Sequence, residues 1–224
     1  MLFSIFQASK DIVINMEDSV VPDKMNLEEP REVIKVMTSS ATDRRFRQTF
    51  KYDGRRLLLN SGPIPSNDIK FVSNDYGKCL SIPISPLLRQ QLNTIEDYII
   101  THIQIPSCFP WQARDDKDSP YKKIWDGESV YISLSHWCKY FRQDSEYVTE
   151  IQPSELGDGH YEAHIAIEGV YLAPHKDNKL ASITMRVQQL LFRPVVDDVD
   201  SIIDAILVQE GAKHVKRRRK KKDN

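Results

Sequence analysis

The sequence predicts a β-rich α+β domain, with one helix set between two groups of strands and an amphipathic helix after the last strand. Three stretches carry this reading. From Tyr161 to Phe192 two alternating runs flank a turn; around Asp53-Gly54 a second alternating pair is centred; from Ser85 the period changes from two to that of a helix. Successive side chains of a strand point to opposite faces and those of a helix recur every three to four residues, so the two periods separate the elements.

The run at 161–192 has the clearest pattern. Tyr161, Ala163, Ile165, Ile167 and Gly169 share one face, with Glu162, His164, Ala166 and Glu168 on the other. After the turn at Pro174–Lys179, Ala181, Ile183, Met185, Val187, Gln189 and Leu191 alternate with Ser182, Thr184, Arg186 and Gln188. A half-buried antiparallel pair is expected, with Thr184, Arg186 and Gln188 on its wet face beside His175, Lys176 and Lys179.

Earlier in the chain, Asp11–Asn15 and Glu32–Met37 read as short strands and 16–31 as a loop. At Arg44–Leu59 the Asp-Gly pair predicts a type I′ hairpin, because both central positions of that turn need positive φ. The register then sets Tyr52 against Arg55, Lys51 against Arg56, Phe50 against Leu57, Thr49 against Leu58 and Gln48 against Leu59. Phe46, Phe50, Tyr52, Leu57 and Leu59 would form its core face, while Arg45, Arg47, Lys51 and Arg56 crowd the other. Like charges opposite one another cost up to about 1 kcal/mol, so this face calls for an anion, either phosphate or acids from elsewhere in the body.

Gly62–Asn67, with two prolines, is read as a break, followed by short strands at Ile69–Val72 and Cys79–Ile84. Ser85 can cap a helix, Pro86 suits its first position, and Leu87, Leu88, Leu92, Ile95, Tyr98, Ile99 and His102 recur at helical spacing to about 103. The zone 108–147 holds all three tryptophans interleaved with cations, an exposed acidic loop at Asp115–Pro120, and a strand at Ser129–Ser135; a turn-rich link at 150–159 leads into the long pair. Beyond Pro194, Val195, Val196, Val199, Ile202, Ile203, Ile206 and Leu207 form a helical stripe opposite Asp197, Asp198, Asp200 and Asp204. The expected organisation is an N-terminal strand and loop at 1–30, a core domain at 31–194, an acidic amphipathic helix at 195–211 and a disordered basic tail at 212–224.

Charge is unevenly spread. The net charge of the whole chain is −1; residues 213–224 carry eight Lys or Arg and one Asp, +7, which leaves −8 on the other 212 residues. The tail run Lys216, Arg217, Arg218, Arg219, Lys220, Lys221 and Lys222 reads as a nuclear import signal that an import receptor would bind, or as a nucleic-acid contact. No run of about 18 apolar residues occurs, so no membrane-spanning helix is expected. The three cysteines, Cys79, Cys108 and Cys138, stand far apart and fit reduced thiols in an intracellular protein.

Aromatic rings alternating with cations suit single-stranded nucleic acid, whose bases stack on rings while its backbone follows Lys and Arg. The candidates for stacking and phosphate contact are Trp111, Tyr121, Lys122, Lys123, Trp125, Trp137, Lys139, Tyr140 and Arg142, joined by Arg45, Arg47, Lys51, Arg56, Lys176, Lys179 and Arg186. No paired-cysteine metal motif, glycine-rich phosphate loop, G-x-S-x-G elbow or H-E-x-x-H pair is present, so neither a metal, a cofactor nor catalysis is expected. The clustered acids at 115–118 and 197–200 read as solvated surface.

Gly169-Val170-Tyr171-Leu172, the His175-Lys176 turn and Ser182–Phe192 resemble the closing strands of OB-fold single-stranded DNA-binding proteins of large DNA viruses and phages. That resemblance covers about 30 residues. It implies a partly open antiparallel OB-like barrel and a non-enzymatic protein that coats and protects single strands, DNA rather than RNA, during viral or nuclear replication. The location implied is the nucleus, the host's if viral, or otherwise a cytoplasmic replication site. Many such proteins end in an acidic tail, whereas this chain ends in a basic one. The alternative is a structural or assembly protein, a virion or nucleoprotein component, that uses its hairpins and the stripe Val195–Leu207 for self-association.

Overall fold

The computed structural model describes residues 11–33, 45–74, 77–107, 121, 125, 127–144, 147–173 and 181–195. In chain order these form β1 (Asp11–Ile14), β2 (Met25–Leu27), β3 (Arg31–Glu32), β4 (Phe46–Tyr52), β5 (Arg56–Pro65), β6 (Lys70–Asn74) and β7 (Gly77–Pro83). Then come α1 (Pro86–His102), β8 (Ser129–Asp144), β9 (Tyr147–Ile151), β10 (Gly159–Leu172) and β11 (Ala181–Pro194). The expected β-rich α+β composition holds: the described residues make one open, strand-rich sheet and one α-helix. The strand order is β1-β5-β10-β11-β8-β7-β6, with β4 also on β10 and β9 also on β8. β1 lies in this sheet, alongside strands of the region assigned to the core domain.

The long pair forms as expected, from Gly159 opposite Pro194 to Leu172 opposite Ala181, with register shifts at His164/Ile165 and Ile167/Gly169. Two expectations are corrected. The sheet is not wholly antiparallel, since β1 runs parallel to β5 and β11 parallel to β8. Nor is β10 half-wet: Glu162, His164 and Ala166 are buried along with its apolar face, because side chains of the flanking strands, Asn60 and Arg193 on Glu162 among them, close over it, whereas on β11 Ser182, Thr184, Arg186 and Gln188 stay partly exposed as expected. Alternation reports the two faces of a strand and is blind to what covers the second.

At Asp53-Gly54 the turn is as expected and the hairpin is not. Both residues have positive φ, 50° and 74°, and Tyr52 and Arg55 exchange backbone hydrogen bonds. Beyond that pair β4 and β5 part. Thr49 pairs with Gly169 and Leu57 with Ile167, so both strands lie antiparallel to β10 and follow one another along it. Residues 50–56 are an excursion whose outgoing arm pairs with β2, Phe50 opposite Leu27 and Tyr52 opposite Met25. The segment 16–31, read as a loop, thus contributes β2 and the start of β3. Gly169 makes the junction possible: it has φ 137°, and a Cβ there would lie 1.9 Å from Gln48 O and 2.9 Å from Phe50 N.

The break expected at Gly62–Asn67 also yields, because β5 continues through Pro65. Pro63 and Pro65 have the same strand parity, so both missing N–H groups fall on the side away from β10; the β1 ladder stops at Leu59 and needs neither of them. β6 and β7, the short strands expected at Ile69–Val72 and Cys79–Ile84, pair antiparallel from Lys70 opposite Ser81 to Asn74 opposite Gly77.

The helix matches its expected bounds. Ser85 Oγ accepts a hydrogen bond from Leu88 N–H (3.2 Å), Pro86 opens the first turn, and Leu88, Leu92, Ile95 and Ile99 are buried. At about 1.5–3 kcal/mol for each fully buried aliphatic side chain, this stripe is the helix's main attachment. It joins one core cluster with Leu57, Leu59, Ile165, Ile167, Val187 and Leu190 from the inner face of the sheet. The opposite face of the sheet carries the polar and charged groups.

Candidate nucleic-acid interface

Four cations singled out from the sequence meet on that polar face. Glu168 sits at the register shift of β10, where the strand passes from β5 to β4, and bulges re-aim side chains. Its Oε2 accepts from Arg47 Nη2 (3.1 Å) and from Arg186 Nε (3.2 Å). Asp11, opposite Arg56 on β1, takes that guanidinium through two hydrogen bonds (2.9 and 2.6 Å), which raise the Arg56 pKa, with Glu168 adding a longer-range contribution. Arg45 Nη1 donates to Tyr171 Oη (3.2 Å). The like-charge problem is therefore met by acids of the body, the second of the two solutions the sequence allowed. Four arginines against Asp11 and Glu168 leave a local charge of +2. Lys51 lies apart from this group, opposite Asn26 on β2.

A second polar row crosses the same face. Glu162 accepts from Asn60 Nδ2 (2.6 Å) and Arg193 Nη1 (2.7 Å), and Arg193 Nε donates to Gln143 Oε1 (2.9 Å). His164, 3% exposed, donates from Nδ1 to Gln189 Oε1 (3.2 Å). Burial lowers its pKa, opposed by Glu162 and the Gln189 contact.

The aromatic candidates separate, and Tyr121, 5% exposed, falls in the core rather than on a stacking surface. Trp125 is 1% exposed and donates from Nε1 to Asn93 Oδ1 (3.3 Å) on α1, so it belongs to the core and cannot stack on a strand. Trp137 is the reverse, 85% exposed. β8 pairs with β11 through Leu134 opposite Val187 and again through Lys139 opposite Gln189, so residues 135–138 of β8 are set against Gln188 alone and bulge outward. Tyr131, 65% exposed, lies on β8 two residues before Ser133, which is opposite Arg186; it was not among the sequence candidates. Tyr140 is half-buried on the inner side of β8, where burial and then Cys138 push its phenol up to about 12. Burial likewise pushes the Cys138 thiol up to about 11. Lys139 pairs with Glu150 (3.1 Å) and Arg142 with Asp144 (2.9 Å), both in the open.

Beside this bulge are two adjoining cavities of about 580 and 620 Å³, which share Lys78, Leu134, Tyr140 and Pro153 in their walls. The first is mostly apolar. The second is edged by Lys78, His136, Lys139 and Arg186, with Glu150 its one acidic wall residue among those described.

Trp111, Lys122, Lys123, Lys176, Lys179, the run Lys216–Lys222 and the stripe Val196–Leu207 lie outside the described residues, as do 34–37 of the strand expected at Glu32–Met37. Of the sequence candidates, the fold unites Arg45, Arg47, Arg56 and Arg186, and sets Lys139 beside Arg186. What the sequence reading missed was Glu168 and Asp11 as their partners, and Tyr131. The parity that set Glu168 opposite the apolar face was the available signal for the first. Among the described residues no group of three or more His, Cys, Asp or Glu could hold a metal ion. The chain matches no family model, and no curated protein or solved structure is significantly similar to it.

Proposed function

We propose that this chain binds single-stranded nucleic acid, DNA in the first instance, along the polar face of the sheet and without catalysing a reaction on it. The observation that carries the reading is Trp137, held 85% exposed on an outward bulge beside Lys139 and near Arg186. Leaving an indole of about 200 Å² in water forgoes about 4 kcal/mol of gross burial energy, which a stacked base would recover. Tyr131 offers a second ring on the same strand, and the +2 arginine group offers phosphate contacts. An OB-type curvature belongs to the same proposal, supported by the register shifts in β10, the sort of kink at which a sheet bends. In this reading the run Lys216–Lys222 is the import signal and Val195–Leu207 the self-association stripe, and their support is the sequence.

The test is an anisotropy titration of oligo-dT, oligo-U and duplex DNA at several salt concentrations, with the full chain and with 212–224 removed. Binding of oligo-dT by both forms, weakening linearly with the logarithm of salt, is the expected result. No anisotropy change at low salt would overturn it. The assembly reading has one observation in its favour: among the described residues β6 pairs only with β7 and β9 only with β8, with Phe71 and Tyr147 exposed on them. Light scattering that finds a concentration-dependent oligomer and no nucleic-acid binding would favour that alternative.

A further inference from the structure

We infer that the two adjoining cavities beside β8 together seat one nucleotide, its base and sugar in the apolar chamber and its 5′-phosphate among the cations of the second. The strand-end form of this inference rests on the single-strand reading above; the nucleotide site itself does not. Each cavity is within the range of about 300–1,000 Å³ that ligand sites occupy, and they meet at Lys78, Leu134, Tyr140 and Pro153.

The walls divide by chemistry. The apolar chamber presents the rings of Phe71, Tyr140 and Tyr161, with Ser66, Ser73 and Asp158 as hydrogen-bonding groups. Flat rings with a few polar groups at the rim suit a heterocycle, which offers both a face to stack and edges to hydrogen-bond. In the second cavity Arg186 and Lys139 are engaged by Glu168 and Glu150, whereas Lys78 and His136 have no acidic partner among the described residues. Ser133 and Ser135 add two hydroxyl donors. An uncommitted ammonium, an imidazole and hydroxyls around one concavity are the chemistry of a phosphate site. His136 and Cys138 line it while Trp137, between them, is turned to solvent, so the bulge that displays the stacking ring also builds the phosphate wall.

The test uses the full chain and four probes: dTMP, thymidine, and oligo-dT with a 5′-phosphate or a 5′-hydroxyl. dTMP is expected to bind about tenfold more tightly than thymidine, the effect of one or two charge-assisted hydrogen bonds. The double variant Lys78→Gln, His136→Gln should abolish that difference; both residues are exposed, and an unchanged thermal melt would show the fold intact. A preference for the 5′-phosphorylated oligonucleotide assigns the site to a strand end. dTMP selectivity without that preference assigns it to a free nucleotide, and either result supports the inference. Oligo-dT bound with no discrimination between dTMP and thymidine at millimolar concentration overturns the nucleotide site and leaves the single-strand reading standing. Selective dTMP binding with no binding of oligo-dT does the opposite.

Discussion

Glu168→Gln separates the structural role of the arginine group from its proposed binding role, because the two respond with opposite sign. The carboxylate is 14% exposed and holds Arg47 and Arg186, each close to half exposed, at 3.1 and 3.2 Å. Fully exposed pairs contribute about 0–1 kcal/mol, and breaking a buried one costs about 3–5 kcal/mol. A mostly buried acid between two partly exposed cations lies between these limits, so a loss of about 1–2 kcal/mol is expected. For a chain of this size that lowers Tm by about 2–8 °C. The same change takes the local charge from +2 to +3 and frees both guanidinium groups. If a strand lies across them, oligo-dT should bind more tightly at low salt, with the slope of log K against log salt steeper by about 0.7 for each added phosphate contact. Differential scanning fluorimetry and anisotropy read the two effects on one preparation. An unchanged Tm would refute the ion-pair account of this face. A lower Tm with unchanged or weaker binding would refute the placement of the strand there.

Three further outcomes follow from the fold. Gly169→Ala should destabilise by more than about 3 kcal/mol or prevent folding, since its Cβ would meet the β4 backbone at 1.9 Å and its φ of 137° disfavours any side chain; chemical denaturation measures it. His164 titrates below its ordinary value in the folded chain, so the unfolded chain binds the extra proton first as pH falls. Stability should therefore be level in this respect above about pH 6.5, fall with decreasing pH down to the folded pKa, and be flatter through that window in His164→Gln, as followed by melts at a series of pH values. The Cys138 thiol, pushed up to about 11 by burial, should be alkylated by iodoacetamide in the folded protein far more slowly than a free thiol at pH 8, and rapidly after denaturation; mass spectrometry of the labelled peptide distinguishes the two.

The elements legible in the sequence were those whose signals are local. Ser85-Pro86 with its apolar stripe fixed the helix at both ends, and Asp53-Gly54 fixed a turn with both φ positive. Pairing was not legible, because alternation in β4 and β5 is equally satisfied by a mutual hairpin and by two successive partners along β10. The glycine that decides between them, Gly169, lies more than a hundred residues further on. The binding candidates divided in the same way. Parity put Arg47 and Arg56 on the polar side of one predicted pair and Arg186 on that of another, but that these sides form one face, and that their acidic partners come from β1 and from the bulge of β10, only the register shows. Trp125 and Trp137 look alike in an aromatic-rich stretch. One faces Asn93 on the helix, and the other rides on a bulge whose existence depends on how β8 passes β11.

The most direct measurement is the affinity of oligo-dT for the full chain and for Trp137→Ala and Tyr131→Ala at two salt concentrations. Both side chains are largely exposed, so neither substitution should lower Tm appreciably. The account expects each to cost about 1–3 kcal/mol of binding, with intrinsic tryptophan fluorescence quenched by the strand in the parent and much less so in Trp137→Ala. Unchanged affinity in both variants, or quenching that survives the loss of Trp137 undiminished, would contradict it.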